Sequence, residues 1–341
     1  MRYRRQNRAA EGERPTLADA PRKRRRGVAI LPAMFTLGNC LCGFAAIQYA
    51  SRQTPIDLIA AAASNPAIPK PDNPYLHFAI AGYFIFAAMV FDMFDGFVAR
   101  LTRTASDFGA ELDSLADMVS FGVAPAFLAM RLTTDLLRTP GEGGRTAFAD
   151  LPGPFSDDFW GRLFWVIAAL YVSCTALRLA RFNVMNKHEV SSHMNFRGMP
   201  SPGAAAVVAA SVIFFATLNA QKHVIPLPVS PHVLSMLSAV FPYVLPIVLL
   251  VAGLLMVSRF AYAHLINRFL RGRKRFRTVV GVVMILMLLL AQPQITTLVA
   301  IYVYALSAPL TAFWYRSTRR RPPGAGPPPG LPDVVPPASE G

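Results

Sequence analysis

The chain is short of charge, and of acid most of all. Only 16% of its 341 residues are charged, and Asp and Glu together number 19 against 34 Lys and Arg. Combined with 53% hydrophobic residues, that balance excludes an ordinary soluble domain. Cysteine is scarce too. The three present, Cys40, Cys42 and Cys174, lie inside apolar segments without metal-ligand spacing. This argues against a thiolate metal site and leaves them as small apolar packing residues. No internal repeat is evident, and residues 134–158, an expected outer loop rich in Gly, Pro and Asp, hold no motif.

What the chain has in place of charge is a series of apolar runs of about 20 residues, the length that crosses a bilayer as a helix. They predict an all-α, polytopic membrane helical bundle of about eight spans, near 30–50, 76–101, 107–131, 160–182, 201–220, 233–257, 278–292 and 295–315. The seventh is short, and Gln292-Pro293-Gln294 makes a tight turn before the eighth.

The net charge of +15 suggests nucleic acid at first sight, but its distribution argues for lipid. With the N-terminus inside, 27 of the 34 basic residues fall in segments facing the cytoplasm, as the positive-inside rule requires. Both termini are then cytoplasmic, in an inner or cell membrane, and no nucleic-acid partner is expected. Residues 1–27 hold ten of these cations and read as a disordered basic tail rather than a cleaved signal peptide. Residues 28–257 form the expected transmembrane catalytic domain and 258–277 a basic interfacial segment with interleaved aromatics. Residues 278–315 read as a C-terminal hairpin and 316–341 as a disordered Pro/Gly tail.

Against this background four carboxylates stand out. Asp92, Asp95, Asp113 and Asp117 lie within or at the edge of apolar segments, where an uncompensated charge costs several kcal/mol. Asp92 and Asp95 are i, i+3, and Asp113 and Asp117 are i, i+4, so each pair shares one helix face. Two such faces opposed would gather four negative charges, which is stable only with cations between them. Oxygen-only donors favour Mg²⁺, Mn²⁺ or Ca²⁺ over zinc. Gly96, Arg100 and Gly109 add two close-approach positions and a bidentate phosphate partner. Arg100 ends the second span, which puts Asp92 about 12 Å away along the helix, just under the cytoplasmic headgroups.

Read together, the stretch is D-x2-D-G-x2-A-R-x8-G-x3-D-x3-D, from Asp92 through Ala99 to Asp117. It resembles the signature of the CDP-alcohol phosphotransferases, membrane enzymes of phospholipid synthesis, with no departure at a defined position. Three further segments are similar to those of the phosphatidylserine synthases within that family: RLARFN (Arg178–Asn183), RGMPSPGAAA (Arg197–Ala206) and MVSRFAY (Met256–Tyr262). The opening of the first span, LPAMFTLGNCLCGFAAIQ, also looks like theirs.

The resemblance implies a six-helix core, two divalent ions (Mg²⁺ or Mn²⁺), a homodimer, and transfer of a phosphatidyl group from CDP-diacylglycerol to L-serine, releasing CMP. Asp92 and Asp113 would bridge the ions, Asp95 would hold the first and Asp117 the second, and Asp117 would also take the serine hydroxyl proton. Gly96, Ala99, Arg100, Ser106 and Gly109 would face CDP-diacylglycerol. Thr36 and Asn39, i, i+3 on the first span, read either as polar glue between helices or as contacts to phosphate or nucleotide. Arg178, Arg181 and Asn183 read either as anchors at the membrane boundary or as ligands of the lipid phosphate or the acceptor carboxylate. His188 and His193 read as solvated loop residues. Other acceptors, glycerol 3-phosphate or inositol phosphate, remain open, as does a divalent-cation transporter using the same acids, which should show broken helices.

Overall fold

A computed structural model describes residues 30–52, 65, 73–102, 107–137, 153–154, 159–188, 198–220, 230–260, 262, 284 and 286–318. Its long helices are α1 (Ile30–Ala50), α2 (Leu76–Thr102), α3 (Asp107–Leu137), α4 (Phe159–His188), α5 (Ser201–Leu218), α6 (Pro231–Val257) and α7 (Pro293–Ser317). Among the described residues there is no strand, and these seven helices are long and apolar enough to cross a membrane. The additional expected span, 278–292, is described only at 284 and 286–292, where 286–291 is helical. The basic tail 1–27, most of 258–277, and the Pro/Gly tail beyond Thr318 lie outside the described residues.

The bundle is organised around α5, whose sequence SPGAAAVVAASVIFFATL is apolar on every side. A helix with no polar face belongs in the interior. Accordingly α5 is enclosed by α2, α3, α6 and α7, and the run Ala204–Ser211 is buried throughout. Small side chains let the neighbours approach closely, the usual basis of helix association where lipid is the solvent. The outer helices show the opposite pattern. On α1 the exposed large residues are Leu31, Met34, Leu37, Leu41 and Phe44, a stripe at helical spacing. In water such a stripe would drive aggregation; against acyl chains it is the wall the bilayer requires. Pro242 and Pro246 sit inside α6 and Pro309 inside α7, as membrane helices tolerate.

Two close approaches, one at α3 and one at the α5–α6 end, fix the bundle. At the first, α1 crosses α3 with Gly43 against Ser120, where a β-carbon would lie 2.4 Å from Ser120 Oγ and 2.8 Å from its Cα. Only glycine fits. At the second, the segment before α5 docks on the end of α6: the N–H of Gly198 donates to the Phe260 carbonyl (2.8 Å) and that of Met199 to the Leu255 carbonyl (3.0 Å). Gly198 has φ +99°, a conformation natural to glycine, and any side chain there would strike the Met256 carbonyl. The RGMPSPG and MVSRFAY segments, far apart in sequence, are thus one structural joint.

The end of α3 differs from expectation. The span was expected to end at Arg131, with 134–158 as a loop, yet the helix continues to Leu137. Arg131 does not stop the buried segment, because its charge is met by Asp135 one turn on. The two form an ion pair with side chains 1% and 0% exposed.

Candidate active site

The acids come from α2 and α3, and both helices run unbroken through them. Carboxylate oxygens of Asp92, Asp95 and Asp113 lie within 4.8 Å of one another. Two of the atoms, Asp95 Oδ2 and Asp113 Oδ1, are buried with no hydrogen-bond partner. Buried acceptors are ordinarily satisfied, and like charges at this distance repel. The three together therefore fit a cation, and an all-oxygen donor set suits a hard divalent ion.

Asp117 stands beside this trio rather than within it. It is 8% exposed, and its Oδ1 accepts a hydrogen bond from Asn39 Nδ2 at 3.0 Å. Asn39 is held in turn through its carbonyl, which accepts from Ser120 Oγ at 2.8 Å. Immediately after Asp117 the helix widens into a π-helical stretch, Met118–Val123, where the Ala124 N–H reaches back to the Val119 carbonyl. The wider turn shifts the register of everything beyond Asp117. Such bulges are common where a helix must present a side chain to a site. The buried Tyr171 hydroxyl caps this stretch by donating to the Phe121 carbonyl (3.0 Å).

Thr36 and Asn39 are both buried and both placed against carboxylates, Thr36 by Asp95 and Asn39 on Asp117. The Thr36 hydroxyl also donates to the Pro32 carbonyl at 3.1 Å. Arg100, exposed on the last turn of α2, folds back over Gly96, its Nη1 being 3.8 Å from where a β-carbon of that glycine would sit. Ala99 and Gly109 are half-buried on α2 and α3. Ser106 lies outside the described residues.

On α4 the three expected residues separate. Arg178 turns into the bundle, hydrogen-bonds Ser201 Oγ through Nη1 (2.6 Å), and acts electrostatically on Asp117 and Asp92. Arg181 is exposed. Asn183 is occupied between helices, its Nδ2 donating to Ser114 Oγ at 2.9 Å and to Glu111 Oε2 at 3.4 Å on α3. The residues that sequence reasoning passed over are Ser120, Ser201 and Tyr304. Ser201 sat in a quoted segment and was readable; nothing in the sequence around Tyr304 marks it.

An all-helical bundle with seven helices long and apolar enough to cross a membrane, and an acid trio gathered from two of them, defines a class: polytopic integral membrane proteins with an acidic site able to hold a cation. The particular family follows from comparison. The chain belongs to the CDP-alcohol phosphatidyltransferase family, whose model matches residues 29–241. It is 37% identical over 124 residues to the CDP-diacylglycerol–serine O-phosphatidyltransferase of Methanocaldococcus jannaschii, covering 36% of this chain and 46% of that one. The proteins of the same name from Helicobacter pylori and Bacillus subtilis are 30% identical over 184 residues (54% and 57% covered) and 35% identical over 174 (51% and 70% covered). Matches thus span about half to two thirds of these relatives' lengths.

Proposed function

We propose that the protein transfers the phosphatidyl group of CDP-diacylglycerol to the hydroxyl of L-serine, releasing CMP and yielding phosphatidylserine. The observation that carries this reading is the convergence of Asp92, Asp95 and Asp113 within 4.8 Å, from two apolar helices whose only evident need for acids is chemical. The relatives named for this reaction support serine as the acceptor. The distribution of basic residues supports a cytoplasmic opening for the site, with both termini inside.

Asp92, Asp95 and Asp113, with Asp117 adjoining, would hold two divalent ions, Mg²⁺ or Mn²⁺. Such ions neutralise a pyrophosphate and make the nucleotide a better leaving group. Arg100, with Gly96 beside it, meets a phosphate of the cytidine diphosphate portion as a bidentate donor, while Ala99 and Gly109 leave room for that portion. Asp117 is the general base. Asn39 fixes its Oδ1, leaving Oδ2 to accept the proton of the serine hydroxyl as the oxygen attacks the lipid-side phosphorus. Arg178 binds the carboxylate of serine, a charge match that no neutral alcohol would reproduce.

The test is incubation of the purified protein with CDP-diacylglycerol, Mn²⁺ or Mg²⁺ and labelled serine, with identification of the lipid product. Labelled phosphatidylserine and stoichiometric CMP are expected. CMP release only with glycerol 3-phosphate or inositol phosphate would reassign the acceptor, and metal flux into sealed vesicles without CMP would overturn the reading. The Asp117→Asn variant should bind CDP-diacylglycerol normally and release CMP about 10²–10⁴-fold more slowly.

A further inference from the structure

The family model's match ends at residue 241, so α7 lies wholly beyond it. Even so, one side chain of α7 reaches the cleft. Tyr304 lies on the buried side of a helix most of whose surface faces outward, and its hydroxyl interacts electrostatically with the Arg178 guanidinium. Its ring enters beside the first turn of α5 because residue 203 is glycine: a β-carbon there would lie 3.3 Å from Tyr304 Cε1. The ring is braced on its other side by Tyr262, with centroids 5.5 Å apart, and Tyr262 is itself locked to α7 by donating to the Ala305 carbonyl at 3.0 Å.

We infer that Tyr304, with Ser201, builds an acceptor subsite around Arg178, so that a helix beyond the family model's match helps select the alcohol. The inference rests on the proposed reaction and deepens it. Ser201 Oγ holds one N–H of Nη1, which sets the plane of the guanidinium and leaves its remaining donors for a carboxylate. Among the described residues no hydrogen bond takes up the Tyr304 hydroxyl, so it stands as a further donor at the turn of α5 that holds Arg178. Arg178 in turn acts electrostatically on Asp117, the proposed base.

The experiment uses the full chain in detergent or vesicles with CDP-diacylglycerol and Mn²⁺, and compares wild type with Tyr304→Phe and Ser201→Ala. Phenylalanine keeps the ring packing on Gly203 and Tyr262 and removes only the hydroxyl. For Tyr304→Phe the KM for serine should rise about tenfold, the loss expected of one hydrogen bond to a charged group, while kcat and the KM for CDP-diacylglycerol stay within about twofold. For Ser201→Ala the KM for serine should rise while CDP-diacylglycerol affinity, read by calorimetry without acceptor, is unchanged. Equal shifts in both KM values, or none in the serine KM, overturn the inference. If Tyr304→Phe accumulates poorly, Ser201→Ala carries the same test. Should the wild type use another alcohol, the proposed serine reaction fails by itself, and the subsite is judged by the same split measured with that alcohol.

Discussion

Helix α3 carries two buried polar clusters, and they resolve the same electrostatic problem in opposite ways. Arg131 and Asp135, at one end, are both essentially inaccessible and neutralise each other. At the other, Asp113 gathers with Asp92 and Asp95 of α2, Asp117 stands beside them, and among the described residues Asp95 Oδ2 and Asp113 Oδ1 are buried without a hydrogen-bond partner. Fourteen residues separate Asp117 from Arg131, about 21 Å along a helix, so the clusters are electrostatically and mechanically distinct. The pair closed on itself is a structural element. The open cluster cannot be explained by stability, because its members repel and, among the described residues, receive no internal cation of comparable contact. The difference teaches that in an apolar bundle the informative acids are those the fold declines to neutralise.

The comparison can be broken most decisively at the open end. Asp113→Asn should reduce CMP release by about 10³-fold or more while the protein still folds, since the change removes a repelling charge. Its melting temperature in chelator should equal or exceed that of wild type. Mn²⁺ should raise the wild-type melting point, by the equivalent of about 2.7 kcal/mol at one hundred times the dissociation constant, and leave the variant unmoved. A wild-type protein whose stability ignores the metal would remove the distinction between the two clusters.

At the closed end the order of effects reverses. Arg131→Met removes the cation that faces buried Asp135, and should cost about 3–5 kcal/mol, read as loss of monodisperse protein or a lowered denaturation midpoint. The double change Arg131→Met with Asp135→Leu should recover most of that stability, with specific activity per folded molecule near wild type. If the double variant folds but loses activity, the far cluster is not merely structural.

Smaller effects test the joints that aim the acids. Gly43→Ala must push α1 from α3 at Ser120, which should cost about 1–3 kcal/mol and, by moving Asn39 away from Asp117, reduce kcat more than substrate affinity. Ser114→Ala removes the link to Asn183 at the exposed edge of the site, and a loss of about 1 kcal/mol or less in denaturant stability, with kinetics unchanged, is the expected reading.

Much of this arrangement was legible in the chain. The helical class, most of the spans and the grouping of the acids all follow from apolar run lengths and from i, i+3 and i, i+4 spacing, which helix geometry converts directly into shared faces. Other points were misjudged or invisible for identifiable reasons. The end of α3 was placed at Arg131 because a lone cation in an apolar run reads as a boundary, whereas its partner Asp135 lay in what read as loop. Asn183, read either as a boundary anchor or as a ligand of the lipid phosphate or acceptor, has its amide held by Ser114 and Glu111, and nothing local reveals which neighbouring helix a polar side chain will meet.

By itself, the sequence determined that this is a membrane bundle and that four acids, an arginine and two glycines recur at separations that give one shared face on each of two helices, because rise and rotation per residue are the same in every α-helix. Only the tertiary structure decided that three of the acids converge while Asp117 is taken by Asn39, that the segment at Gly198 seats on the end of α6, and that Tyr304 arrives beside Arg178. Those outcomes depend on how closely separate helices approach, which is set by the side chains of both partners at once and cannot be read from either alone.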